Sequence, residues 1–130
     1  MEVEELSVLL IEDNDDDLLL CELELKKLGI TNYDAARNEQ EAMGFIEQRA
    51  YDLVISDTMY EKDILMGPPV VRKARELGRD LVVIALSSHP ENEKYWCGLS
   101  DYFFDKNKFY KPENDLLSPV LQEKFQIQLK

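Results

Sequence analysis

Acidic, hydroxyl and amino side chains recur where short hydrophobic strings end. Ser7-Val8-Leu9-Leu10-Ile11 runs into Glu12-Asp13, and Leu53-Val54-Ile55-Ser56 into Asp57. Leu81-Val82-Val83-Ile84-Ala85-Leu86 runs into Ser87-Ser88, and Tyr102-Phe103-Phe104 into Asp105-Lys106. If Glu12, Asp13, Asp57, Ser87 and Lys106 met in one pocket, they would suit a divalent cation and a phosphoryl group. Hard cations such as magnesium take oxygen ligands, and phosphoryl transfer asks mainly for positioning and charge neutralisation.

A parallel sheet would bring them together. Apolar runs of this length, separated by helix-like stretches, are the pattern of buried parallel strands. In such a sheet the strands end on one edge, and ligands bind in the crevice there. Strands are predicted at about 6–11, 33–36, 52–57, 81–86 and 101–104. The first helix spans about 15–28, capped by Asn14 or Asp15, with Lys26-Lys27 in its last turn and Gly29 as its stop. Leu18, Leu19, Cys21, Leu25 and Leu28 supply its apolar face, and Asp15, Asp16 and Asp17 form a solvated first turn. A second helix runs from Asn38 to about Arg49, with Ala42, Phe45 and Ile46 inward. Residues 58–67 are expected to be irregular, and Pro68-Pro69 to open a third helix. A short helical piece follows His89-Pro90, and the last helix begins between residues 112 and 115, with Pro119 tolerable only in its first turn. Alternating strands and helices give an α/β domain, a doubly wound parallel sheet with helices on both faces. Residues 1–130 are expected to form one such domain.

Bulk composition narrows the classes. The chain has 130 residues, 45% hydrophobic and 32% charged, with a net charge of −12. That charge argues against nucleic-acid binding, which needs a basic patch. No run is long enough for a membrane span. The acidic start lacks the basic beginning of a secretory leader, and Cys21 and Cys97 are expected as reduced, packed thiols in a reducing, cytoplasmic setting.

At its four strand ends the chain resembles a response-regulator receiver domain of two-component signalling, over about residues 6–125. The family pattern has an acidic pair after strand one (Glu12-Asp13) and a phospho-accepting aspartate ending strand three (Asp57). It also has a Ser or Thr ending strand four (Ser87) and a lysine after strand five (Lys106). Ser88 is one residue from Ser87 and could exchange roles with it. Lys111, before Pro112, competes with Lys106, which leaves the shorter stretch after Gly98. The resemblance implies the flavodoxin-like strand order 2-1-3-4-5, of which the chemotaxis receiver is an example.

The resemblance further implies a phosphorelay function. Asp57 would accept a phosphoryl group from a histidine kinase or a histidine phosphotransfer protein. Mg2+ would sit on Glu12, Asp13, Asp57 and the backbone carbonyl of Met59, and Ser87 and Lys106 would engage phosphoryl oxygens. A downstream target protein would then read a switched surface. No turnover of a separate substrate is expected. The chain departs from the family after Asp57, where Tyr60 and Glu61 fall near positions that tune hydrolysis, and between Ser87 and Gly98, which is short. These departures leave an alternative, a phosphorylation-independent interaction module. A phosphatase of the haloacid dehalogenase type is disfavoured because Met59 stands where that family needs a second aspartate.

Overall fold

The computed structural model describes residues 1–61, 64–111 and 113–129; the side chains of Tyr60 and Glu61 lie outside the described residues, as do Lys62, Asp63, Pro112 and Lys130. The main elements are β1 (Val8–Ile11), α1 (Asp15–Lys27), β2 (Tyr33–Ala36), α2 (Glu39–Gln48) and β3 (Leu53–Asp57). They continue as β4 (Met59–Glu61), β5 (Ile64–Leu65), α3 (Gly67–Glu76) and β6 (Val82–Ser87). A 3-10 segment (Pro90–Trp96), β7 (Tyr102–Asp105), α4 (Lys106–Phe109) and α5 (Leu117–Phe125) complete the order.

Five parallel strands form the main sheet in the order β2-β1-β3-β6-β7. Counting only these strands, this is the expected 2-1-3-4-5. Successive side chains alternate between the sheet faces. Val8 and Leu10 therefore join one core with Leu18, Cys21, Leu25, Val120 and Leu121. Leu9 and Ile11 join the other with Ala42, Ile46, Val70, Val71 and Trp96. Each fully buried aliphatic side chain is worth about 1.5–3 kcal/mol relative to exposure, so the sheet register is specified from both sides.

The register also sets the functional edge. Ile11 pairs with Ser56, Asp57 with Leu86, and Ser87 with Asp105. The residues that follow these pairs leave the sheet at one end. Helix α1 begins close by because the Asn14 side chain accepts the Asp17 backbone N–H at 3.0 Å, and three aspartates occupy the positive first turn. Gly29 follows that helix with φ +85°, a left-handed conformation that glycine adopts without strain.

Several expectations are corrected. The stretch after Asp57 is not wholly irregular: β4 and β5 pair as an antiparallel ribbon whose register shifts between Met59 and Glu61. Leu19 does not face inward; it is 55% exposed, as are much of Leu20 and Leu23 beside it. The buried side of α1 instead includes Glu24. Cys97 is exposed rather than packed, and both thiols are free, Cys21 being buried. A single helical turn, α4, directly follows β7, and no helix was expected there. Helix α5 begins later than expected, at Leu117, which puts Pro119 in its first turn.

Of the five glycines, Gly67 has the tightest surroundings. A Cβ there would lie 2.2 Å from Ser56 Oγ and 2.6 Å from both the Asp57 carbonyl oxygen and Trp96 Cη2. Two of these neighbours belong to the strand end carrying the candidate nucleophile. Gly44, inside α2, has open space around the same position. Gly67→Ala is therefore expected to destabilise the protein by about 1–3 kcal/mol or more. Gly44→Ala is expected to stabilise it by about 0.5–1 kcal/mol. Urea denaturation of the two variants checks the pair, and equal effects would contradict the packing at Gly67.

Candidate functional site

Glu12, Asp13 and Asp57 converge at the carboxyl edge of the sheet, each offering an oxygen within 4.8 Å of the others. Glu12 is buried, and Asp13 and Asp57 are partly so. The side-chain oxygen Oδ1 of Asp57 accepts the backbone N–H of Thr58 at 2.8 Å. Glu12 Oε2 accepts the backbone N–H of Asn14 at 3.2 Å. Met59, whose carbonyl was expected among the metal ligands, opens β4 two residues beyond Asp57.

Lys106 enters from the end of β7 and is 7% exposed. Its Nζ lies 2.6 Å from Glu12 Oε1, 2.8 Å from Asp17 Oδ2 and 3.3 Å from Asp57 Oδ2. The ammonium donates a hydrogen bond to Asp17 and is ion-paired with Glu12 and Asp57, the buried Glu12 Oε1 being left without a hydrogen-bond donor. Among the described residues no other cation pairs with Glu12 or Asp57; Lys111 is exposed. The contact to Asp17 was not anticipated, since the aspartate run reads as a solvated turn. Asp16 is indeed exposed, and Asp15 pairs with Arg37 outside the site.

The electrostatics follow from burial. Burial raises the Glu12 carboxyl to about 8, with the nearby Asp57 charge adding to it and Lys106 opposing it. Asp57 is also raised, again first by burial, with Lys106 and the Thr58 N–H opposing the shift. Burial lowers Lys106, but the charges of Asp57, Asp17 and Glu12 outweigh it and hold the ammonium protonated. Two like charges about 4 Å apart cost roughly 1–4 kcal/mol depending on the local dielectric. A site of this kind takes up protons or cations. The donor set is all oxygen and anionic, which fits Mg2+.

Ser87 ends β6 and is buried, whereas Ser88 is exposed. The Ser87 hydroxyl donates to the His89 carbonyl at 3.1 Å and accepts the His89 N–H at 3.0 Å and Asn92 Nδ2 at 2.9 Å. One donor and two acceptor positions are thereby filled. His89 itself is a solvent-facing loop residue, its side chain 70% exposed.

A family model for the response regulator receiver domain matches residues 8–103. The chain belongs to that family. No curated protein matches its sequence. Solved structures similar to this receiver domain include a response regulator receiver domain from Methylobacillus flagellatus, 24% identical, covering 91% of this chain and 97% of that one at TM-score 0.74. Another is the response regulator TrrA from Thermotoga maritima in complex with Mg(2+)-BeF, 23% identical, covering 89% and 99% at TM-score 0.73. A third is a co-crystal structure of the Saccharomyces cerevisiae histidine phosphotransfer protein Ypd1 with the receiver domain of its downstream response regulator Ssk1, 20% identical, covering 93% and 89% at TM-score 0.72. At these identities the structures bear on the fold.

This receiver domain carries its own connection beneath the acidic edge. Thr58 is fully buried; its hydroxyl donates to the Leu86 carbonyl at 2.9 Å and accepts Trp96 Nε1–H at 2.8 Å. Trp96 is 1% exposed and also packs against Gly67. The short 3-10 segment is thus bonded to the site at both ends, through Asn92 to Ser87 and through Trp96 to Thr58. The truncated element was expected from the spacing, but its attachments were not. Two donors separated by four residues, Asn92 and Trp96, were the available signal.

The pH dependence has a definite sign. Glu12 keeps its proton up to about 8 when folded but loses it near 4.5, the ordinary value, when unfolded. Its contribution to stability is fully present below about 4.5 and is lost as pH rises toward 8. In metal-free buffer, stability is expected to fall over that window by an amount on the order of 2 kcal/mol. Glu12→Gln, a neutral group of the same shape, is expected to flatten the profile. Chemical denaturation at pH 5, 6.5 and 8 tests this, and an unchanged slope in the variant would contradict it.

Proposed function

We propose that Asp57 accepts a phosphoryl group in a two-component phosphorelay. The observation that carries this reading is the convergence of Glu12, Asp13, Asp57 and Lys106 at one sheet edge. A family match fixes the kind of domain; the convergence is what gives Asp57 a reason to react. Glu12, Asp13 and Asp57, with the Met59 carbonyl, would hold Mg2+, which when bound supplies positive charge to the phosphoryl oxygens.

In the transfer, an oxygen of the ionised Asp57 carboxylate attacks the phosphorus of a phosphohistidine. The new P–O bond replaces the P–N bond, and the imidazole leaves with the electron pair. Lys106 moves its charge from the carboxylates toward the developing phosphoryl oxygens. The Ser87 hydroxyl can donate to one of them after releasing the His89 carbonyl, which would shift the loop that Asn92 holds. The change in the segment Pro90–Trp96 is the signal that a downstream target would read. The phosphoryl group stays on the chain until water removes it, so the chain processes no separate substrate.

The donor is a histidine kinase or a histidine phosphotransfer protein; the co-crystal of Ypd1 with the Ssk1 receiver shows such a pairing for a similar fold. The exposed side chains of Leu19, Leu20 and Leu23 lie on α1, whose first turn borders the site through Asp17. An apolar patch beside a reactive group offers the donor a place to dock. A cytoplasmic location accords with the buried and exposed free thiols; among the described residues, no helix is long and apolar enough to cross a membrane.

Incubation with acetyl phosphate and Mg2+ should add one phosphoryl group, mapped by mass spectrometry to Asp57, and Asp57→Asn should abolish it. Full labelling of that variant would remove the assignment. Leu19→Ser combined with Leu23→Ser is expected to slow transfer from a protein histidine donor at least tenfold while leaving acetyl phosphate labelling unchanged. Unaltered transfer from the protein donor would place docking elsewhere.

A further inference from the structure

Lys106 has three carboxylate partners, but only two of them belong to the group that could hold a cation. Glu12 and Asp57 are in that group with Asp13; Asp17 is not. Asp17 reaches Lys106 from the first turn of α1, where its own backbone N–H is fixed by the Asn14 cap. It is partly shielded, its side chain 32% exposed. A divalent ion among Glu12, Asp13 and Asp57 would compete with the ammonium for two of the same carboxylates, whose nearer oxygens lie 2.6 and 3.3 Å from Nζ. Asp17 is the carboxylate that remains for Lys106 when Glu12 and Asp57 turn to the ion.

We infer that Asp17 is a positioning residue that draws the Lys106 ammonium aside so that a divalent cation and the lysine can occupy the site together. This deepens the phosphoacceptor reading and rests on it. Without Asp17, Lys106 settles on Glu12 and Asp57 and excludes the ion more strongly. Its role is specific to the ammonium, so it differs from the general attraction any acidic residue near the site exerts on a cation. Asp16 supplies the comparison: it lies in the same helical turn, carries the same charge and is exposed.

Calorimetric titration of the full chain with MgCl2 tests this. Asp17→Asn is expected to weaken Mg2+ binding fivefold or more, and Asp16→Asn less than twofold. Asp17→Glu is expected to recover part of the loss. In a Lys106→Met background the excess effect of Asp17→Asn over Asp16→Asn should vanish, because the ammonium it positions is gone. Trp96, the single tryptophan, reports through its emission whether each variant keeps its packed core. Equal losses for Asp17→Asn and Asp16→Asn, or an excess that survives in the Lys106→Met background, would overturn the inference. A wild-type chain that binds no Mg2+ would instead overturn the metal-dependent reading on which it rests.

Discussion

One buried ammonium among carboxylates is the interaction on which the site depends. Glu12, Asp17 and Asp57 all face Lys106, and Asp13 stands alongside. Removing one partner of a buried ion pair is costly because the other charge is left uncompensated. The resting arrangement is therefore held together by Lys106 while still carrying an excess of negative charge. Burial is the first physical reason for the raised Glu12 and Asp57 carboxyls, with the Asp57 charge adding to the shift at Glu12; a cation would relieve the crowded negative charge. The same imbalance prepares the lysine to follow negative charge wherever it develops.

The sheet makes this arrangement possible at modest cost. Its register places the ends of β1, β3, β6 and β7 together, and both of its faces are buried under apolar side chains. A charged cluster so dense could not be built on a mobile loop, because ordering the chain and bringing like charges together would both oppose it. Here the ordering comes from strands that the two cores already fix. Gly67 and Thr58 extend that rigidity to the far side of Asp57: one leaves room for Trp96 and Ser56, and the other bonds strand β6 to the indole.

The fold, and the convergence of Glu12, Asp13, Asp57 and Lys106 in the candidate site, were legible in the sequence because strand ends are local features. An apolar run announces its strand, and the polar residue that follows is carried to the edge with no further information. Asp17 was not legible in this way. Its partner lies 89 positions away, and the contact depends on how α1 leans over the sheet edge and how far the lysine stem reaches. Three adjacent aspartates look alike in sequence, and only the helical rotation separates exposed Asp16 from Asp17. The β4–β5 ribbon was missed because residues 58–67 lack strict alternation and a tight-turn dipeptide. Leu19 was misassigned because α1 carries leucines on more than one side, with buried Glu24 among its inward residues. The reading of Tyr60 and Glu61 as tuning residues lies outside the described side chains.

The central claim is that Glu12, Asp13 and Asp57 form one cation-binding cradle in which Asp57 is the reactive carboxylate and Lys106 its counter-charge. A crystal structure of the wild-type chain grown with Mn2+ and beryllium fluoride tests it most directly. The account predicts an anomalous peak bounded by Asp13 and Asp57, a fluoroberyllate group on an Asp57 side-chain oxygen, and Lys106 Nζ turned toward its fluorides. An unmodified Asp57 with manganese bound elsewhere, or a fluoroberyllate on another carboxylate, would contradict it.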